Sequence, residues 1–196
     1  MYRKQAEQRM LRLRGLDRLG ELARRISLAV EDAYETARKE LVAHPPMVHK
    51  VLVLELPVRQ VTHEELAQAK AQVEALSKDP SQRRKMLWHQ SVVERFERQQ
   101  SQRNEKYEVH VLRLGEVAIA TNPFELFVDY GIQIKARSKA LQTFVVQLTG
   151  PGGYLATAKA ISCGGYSAVI ESTPIGPEGG QMLVDRTVEV INGLFP

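Results

Sequence analysis

At 196 residues the chain has the length of one ordinary domain, and its 43% hydrophobic and 26% charged composition, free of low-complexity tracts, excludes wholesale disorder. The single cysteine, Cys163, excludes an internal disulfide framework and any Cys-rich structural zinc site, and no apolar run approaches the roughly 20 residues needed to cross a bilayer. The formal charge of +4 resides in residues 1–25, where eight basic residues face three acidic ones, leaving the rest at −1, so the excess marks one segment without aromatic platforms and argues against nucleic-acid binding.

From Leu16 apolar residues recur at Leu19, Ala23, Ile26, Val30, Ala33 and Ala37, a narrow stripe that predicts a long amphipathic N-terminal helix docked on its own domain and ended by Pro45-Pro46. Val48 to Val58 reads as a strand. Its unbroken Val51-Leu52-Val53-Leu54 run suits a central strand of a sheet covered on both faces. Thr62 with Glu65 has capping-box spacing and opens a helix to about Leu76. Pro80 opens another, through Gln100, on whose exposed face His89 is expected.

Val109 to Leu114 and Val117 to Ala120, turning at Gly115-Glu116, read as a hairpin. Asn122-Pro123 then starts a helix to about Ala136, and a strand follows at Thr143 to Leu148. The Gly150-Pro151-Gly152-Gly153 turn leads to Tyr154 and a short helix, and a helix from Glu178 to Leu194 closes the chain. Interleaved strands and helices make the fold class α/β, a mixed β-sheet flanked by helices. Residues 1–196 are expected as one unit: helix at 1–44, strand, helices and hairpin at 48–121, and a site-bearing segment at 122–196.

The sequence has no Walker A, GxSxG or HExxH pattern, and none of the five histidines forms a close HxH or HxxxH pair. Each histidine alone, and Cys163, is expected in a structural role, the thiol as a small buried hydrophobe. Polar residues at strand ends remain: Glu125 after the hairpin and Tyr154 on the glycine turn, positions where α/β folds concentrate function. Spacing alone leaves Glu125 equally readable as a first-turn helix acid. It also leaves open an interaction module using the N-terminal helix, a degenerate scaffold, and phosphate binding by the 150–153 glycines.

The segment from Leu112 to Glu125, with Tyr130-Gly131, Ile134 to Ser138, Gly153-Tyr154 and Gly164-Gly165-Tyr166, resembles the C-terminal part of the neutral, non-lysosomal ceramidase-like hydrolases. The resemblance is best over residues 108–170. It implies a zinc-dependent amidohydrolase in which Glu125 and Tyr154 are metal ligands and Tyr166, twelve residues on, stabilises the oxyanion. The remaining two ligands, histidines, would come from an N-terminal half or a partner chain, and this chain alone would be inactive. The implied substrate is ceramide-like or another N-acyl amide. The sequence departs from the family after Tyr154, with Leu155-Ala156-Thr157, and after Tyr166, with Ser167, which bears on substrate identity. Read as it stands, the chain is expected to be cytoplasmic, with self-association left open.

Overall fold

The computed structural model describes residues 2–195, which form two compact units that divide between Pro45 and Pro46. The first holds two helices, α1 (Tyr2–Arg14) and α2 (Arg18–Ala37), so the predicted long helix is interrupted. The break has a local cause. Gly15 adopts φ +65°, a conformation that ends a helix at little cost only for glycine, and Asp17 caps the restart by accepting the Gly20 N–H at 2.7 Å. Glu21 is buried beneath Arg14, Arg24 and Arg25, whose guanidiniums, Arg24 foremost, hold its carboxyl well below the usual range. Leu19, Ile26 and Val30, expected to pack, are exposed.

The second unit is built on a four-stranded sheet of order β1-β2-β3-β5, from β1 (Met47–Pro57), β2 (Asn104–Leu114), β3 (Val117–Thr121) and, after β4 (Glu125–Leu126), β5 (Gln142–Val146). β1 and β2 pair antiparallel along their full lengths, from Met47 opposite Leu114 to Pro57 opposite Asn104. β3 joins β2 through the predicted hairpin, and β5 adds in parallel, so the sheet is mixed and the α/β class holds.

Two helices cover one face: α5 (Val128–Arg137) and α7 (Pro177–Leu194). Leu54, Leu56, Val109 and Val111 point inward with Ala118 and Ala120, against Ile134, Leu183, Val184, Val188 and Ile191. The alanines leave room for the helices to approach β3. Pro177 starts α7 at a position where its missing N–H costs no hydrogen bond.

The opposite face is open, with Val51, Val53, Phe144 and Val146 exposed. β1 is therefore an edge strand covered on one side, not the central strand its apolar run suggested. On this face His49 Nε2 lies 2.9 Å from His110 Nδ1, a pair invisible to the search for close sequence spacing because it forms across strands.

The helices α3 (His63–Leu76) and α4 (Arg83–Arg98), the latter entered through a single 3-10 turn at Pro80–Gln82, make a second core of Val61, Ala69, Val92, Val93 and Ile170. Thr62 and Glu65 close the expected capping box. Among the described residues no helix is long and apolar enough to cross a membrane.

Candidate active site

Asn122 sets the approach to the site. Its backbone N–H bonds the Val146 carbonyl at 2.8 Å and its side-chain oxygen accepts the Phe124 N–H at 3.1 Å, which turns the chain out of β3. The helix expected to start here starts later, at Val128. Glu125 lies instead in β4, because the Glu125 N–H bonds the Gly153 carbonyl at 2.9 Å and the Phe127 N–H bonds Leu155 at 3.2 Å. The first-turn helix reading of Glu125 is thereby corrected.

Its partner is β6 (Tyr154–Leu155), parallel to β4, with Glu125 in register with Tyr154 and Leu126 with Leu155. Register partners point to the same face, so the two candidate side chains share one side of a two-stranded ribbon. Gly153 at φ +65° makes the turn into β6, and Gly152 passes so close to Pro123 that a side chain there would meet backbone. The Tyr154 N–H bonds the Ser172 carbonyl at 3.0 Å, fixing β6 from its other side.

The neighbouring Glu125 carboxylate is the first cause of a raised Tyr154 pKa, followed by burial. The Tyr154 ring meets Tyr166 edge to face, with centroids 5.8 Å apart. Tyr166, exposed on the turn after α6 (Ala158–Cys163), stacks on Trp88 of α4 at 5.7 Å. Glu125, Tyr154 and Tyr166 thus lie side by side, and the aromatic line continues to Trp88.

Sequence reasoning missed what holds the Tyr166 loop. His89, expected on an exposed face, is buried, and its Nδ1 lies 2.9 Å from the Glu171 carboxylate. The signal was present: His89 is three, four and seven residues before Val92, Val93 and Phe96, on the apolar stripe of α4. Arg95 donates to the Thr173 carbonyl at 3.1 Å and to that of Ile170, and burial pushes its pKa down to about 10. Arg59 donates to the Ala168 carbonyl at 2.8 Å and to the Thr173 hydroxyl. Cys163, expected buried, is exposed.

A carboxylate and a phenol offer two oxygen donors. Among the described residues no group of three or more His, Cys, Asp or Glu side chains could hold a metal ion. Structural and catalytic zinc sites need at least three protein ligands, so this donor set fits half of such a site and does not complete one. With its pKa raised, the Tyr154 phenol stays protonated beside the Glu125 carboxylate, and the Tyr166 ring stands against the Tyr154 ring.

No protein-family model and no curated protein matches the chain. Among solved structures, a ceramidase complexed with C2 is similar at 16% identity and a TM-score of 0.41, over 45% of this chain and 15% of that one. The chain thus spans about 15% of that structure's length, and at this identity and score the likeness assigns neither activity nor ligands here.

Proposed function

We propose that this chain contributes half of a zinc-dependent amidohydrolase site, with Glu125 and Tyr154 as metal ligands and Tyr166 as hydrogen-bond donor to the developing oxyanion. The observation that supports it is the juxtaposition of three residues, 29 and 12 positions apart in sequence order, on one side of the β4–β6 ribbon and its adjoining turn. The order and spacing of the Pro-x-Glu, Gly-Tyr and Gly-Gly-Tyr motifs support the same reading.

In such a site a zinc ion polarises the amide carbonyl and lowers the pKa of water. The contribution of this chain is separate. Glu125 and Tyr154 would each present an oxygen donor, the ionised carboxylate supplying negative charge, and the phenol proton would leave to solvent as Tyr154 became a ligand. Tyr166, whose ring stacks on Trp88 and meets the Tyr154 ring, would offer its hydroxyl to an oxyanion. The substrate is an N-acyl amide, ceramide-like or otherwise, and the remaining ligands come from another segment or chain.

The test measures bound zinc and hydrolysis of an N-acyl amide by this chain with and without the segment that completes the site. Zinc and turnover only in the completed protein, both lost in Glu125→Gln and Tyr154→Phe, are expected. Zinc binding that ignores both substitutions would overturn the assignment. A second reading, a non-catalytic interaction module, is favoured by the exposed Leu19, Ile26 and Val30 stripe of α2, and ordering of a partner on that stripe without metal would establish it.

A further inference from the structure

The first turn of α4 carries Arg83, Arg84 and Lys85 and no acid. Cations near a helix N-terminus are not favoured by the macrodipole, and the acid that caps this entry, Asp79, accepts the Ser81 N–H and forms no ion pair with them. Among the described residues none of the three is in an ion pair. Arg84 and Lys85 stand four and three residues before Trp88, on the same side of the helix. Together they line an open groove of about 630 Å³ with Leu87, Trp88 and Tyr166, and no acid borders it.

The groove therefore joins two features. Its floor is aromatic and apolar, and it runs up to the Tyr166 ring that touches Tyr154. Its rim is cationic and uncompensated. An occupant that satisfies both has an apolar body and an anionic group. We infer that the amide substrate of the Glu125 and Tyr154 site carries an anionic group, and that this groove seats it with Arg84 and Lys85 as the charge contacts. The inference rests on the amidohydrolase reading for the ligand's amide, while the charge preference belongs to the groove and is measured without hydrolysis.

Trp88 is the only tryptophan and lies in the groove, so its fluorescence reports occupancy. The full chain is titrated with N-decanoylglycine and N-decanoylethanolamine, two monomeric amides of equal chain length, one anionic and one neutral. The anionic amide is expected to bind about tenfold more tightly, the order set by two exposed cations acting on one anion. The preference should vanish in the Arg84→Gln/Lys85→Gln double variant, whose exposed positions leave the core untouched, and shrink at high salt. Equal affinities, a preference that survives in the double variant, or no binding of either amide would overturn the inference. Persistence of the preference in a completed protein that neither binds zinc nor hydrolyses amides would instead sink the site reading and leave the groove's charge selectivity standing.

Discussion

The site depends on how closely the segment before β4 and the segment before β6 approach, and Gly152→Ala tests that dependence. A methyl group there would lie 2.7 Å from the Pro123 carbonyl oxygen, 2.8 Å from its carbon and 2.8 Å from the ring of the fully buried Phe124. Carbon atoms rest about 3.5–4.0 Å from their neighbours, so the two segments must part by roughly 0.7–1 Å. Two of the obstructing atoms are backbone and the third is a packed ring, so none can swing away cheaply. Overpacking of this kind costs about 1–3 kcal/mol. With a urea dependence of about 2 kcal/mol per molar, the unfolding midpoint followed by Trp88 fluorescence should fall by about 0.5–1.5 M. Gly131→Ala, in the interior of α5 with nothing near the added methyl, is the control and should raise stability by about 0.5–1 kcal/mol. A Gly152→Ala midpoint equal to or above that of the unmodified chain would refute the argument that this contact sets the spacing of Glu125 and Tyr154.

Glu125→Gln removes the charged neighbour, so Tyr154 should ionise at lower pH than in the unmodified chain, as read by ultraviolet difference titration; an unchanged titration would show the two side chains do not meet. Tyr107 and Tyr154 are also raised, and burial pushes Tyr130 up to about 12, so their stabilisation is complete below the unfolded value of about 10. It is lost as pH rises through the folded values, which predicts unfolding between about pH 10 and 12 and none from these groups below that window. His89→Ala strips the partly buried Glu171 carboxylate of its partner at a cost of about 1–3 kcal/mol and should shift Trp88 emission to the red. Unshifted emission would mean that Arg59 and Arg95 hold the loop without it. Glu21→Ala leaves Arg14, Arg24 and Arg25 without their shared carboxylate, and faster tryptic cleavage between α1 and α2 is the expected result; unchanged cleavage would show the cluster does not join the helices.

Local rules made most elements legible. The Thr62–Glu65 box and the Gly115-Glu116 hairpin each act within a few residues, and the structure keeps both. The site was less legible because it forms between distant segments. Glu125 looked like the start of a helix until Gly153, 28 residues later, supplied the carbonyl that makes it a strand. His89 was misplaced because its polarity outweighed its position among Val92, Val93 and Phe96, and its carboxylate partner is 82 residues away. The apolar run in β1 indicated two covered faces, whereas the helices of this unit cover one.

The open side of the sheet also has a practical meaning for anyone handling the molecule. Sheets that face water ordinarily carry lysine or glutamate where another copy might stack, and here β1 and β2 do so, with Glu108 opposite Val53 and Lys106 paired to Glu55, whereas Phe144 and Val146 of β5 have no such guard in register. Self-association at high concentration should therefore begin at the β5 end, where Phe144 and Val146 face solvent beside Ile119 and Thr121 of β3. Lysine at Val53 and Phe144 would raise its solubility ceiling while leaving the helix-covered side, and the ribbon that holds Glu125 and Tyr154, unaltered.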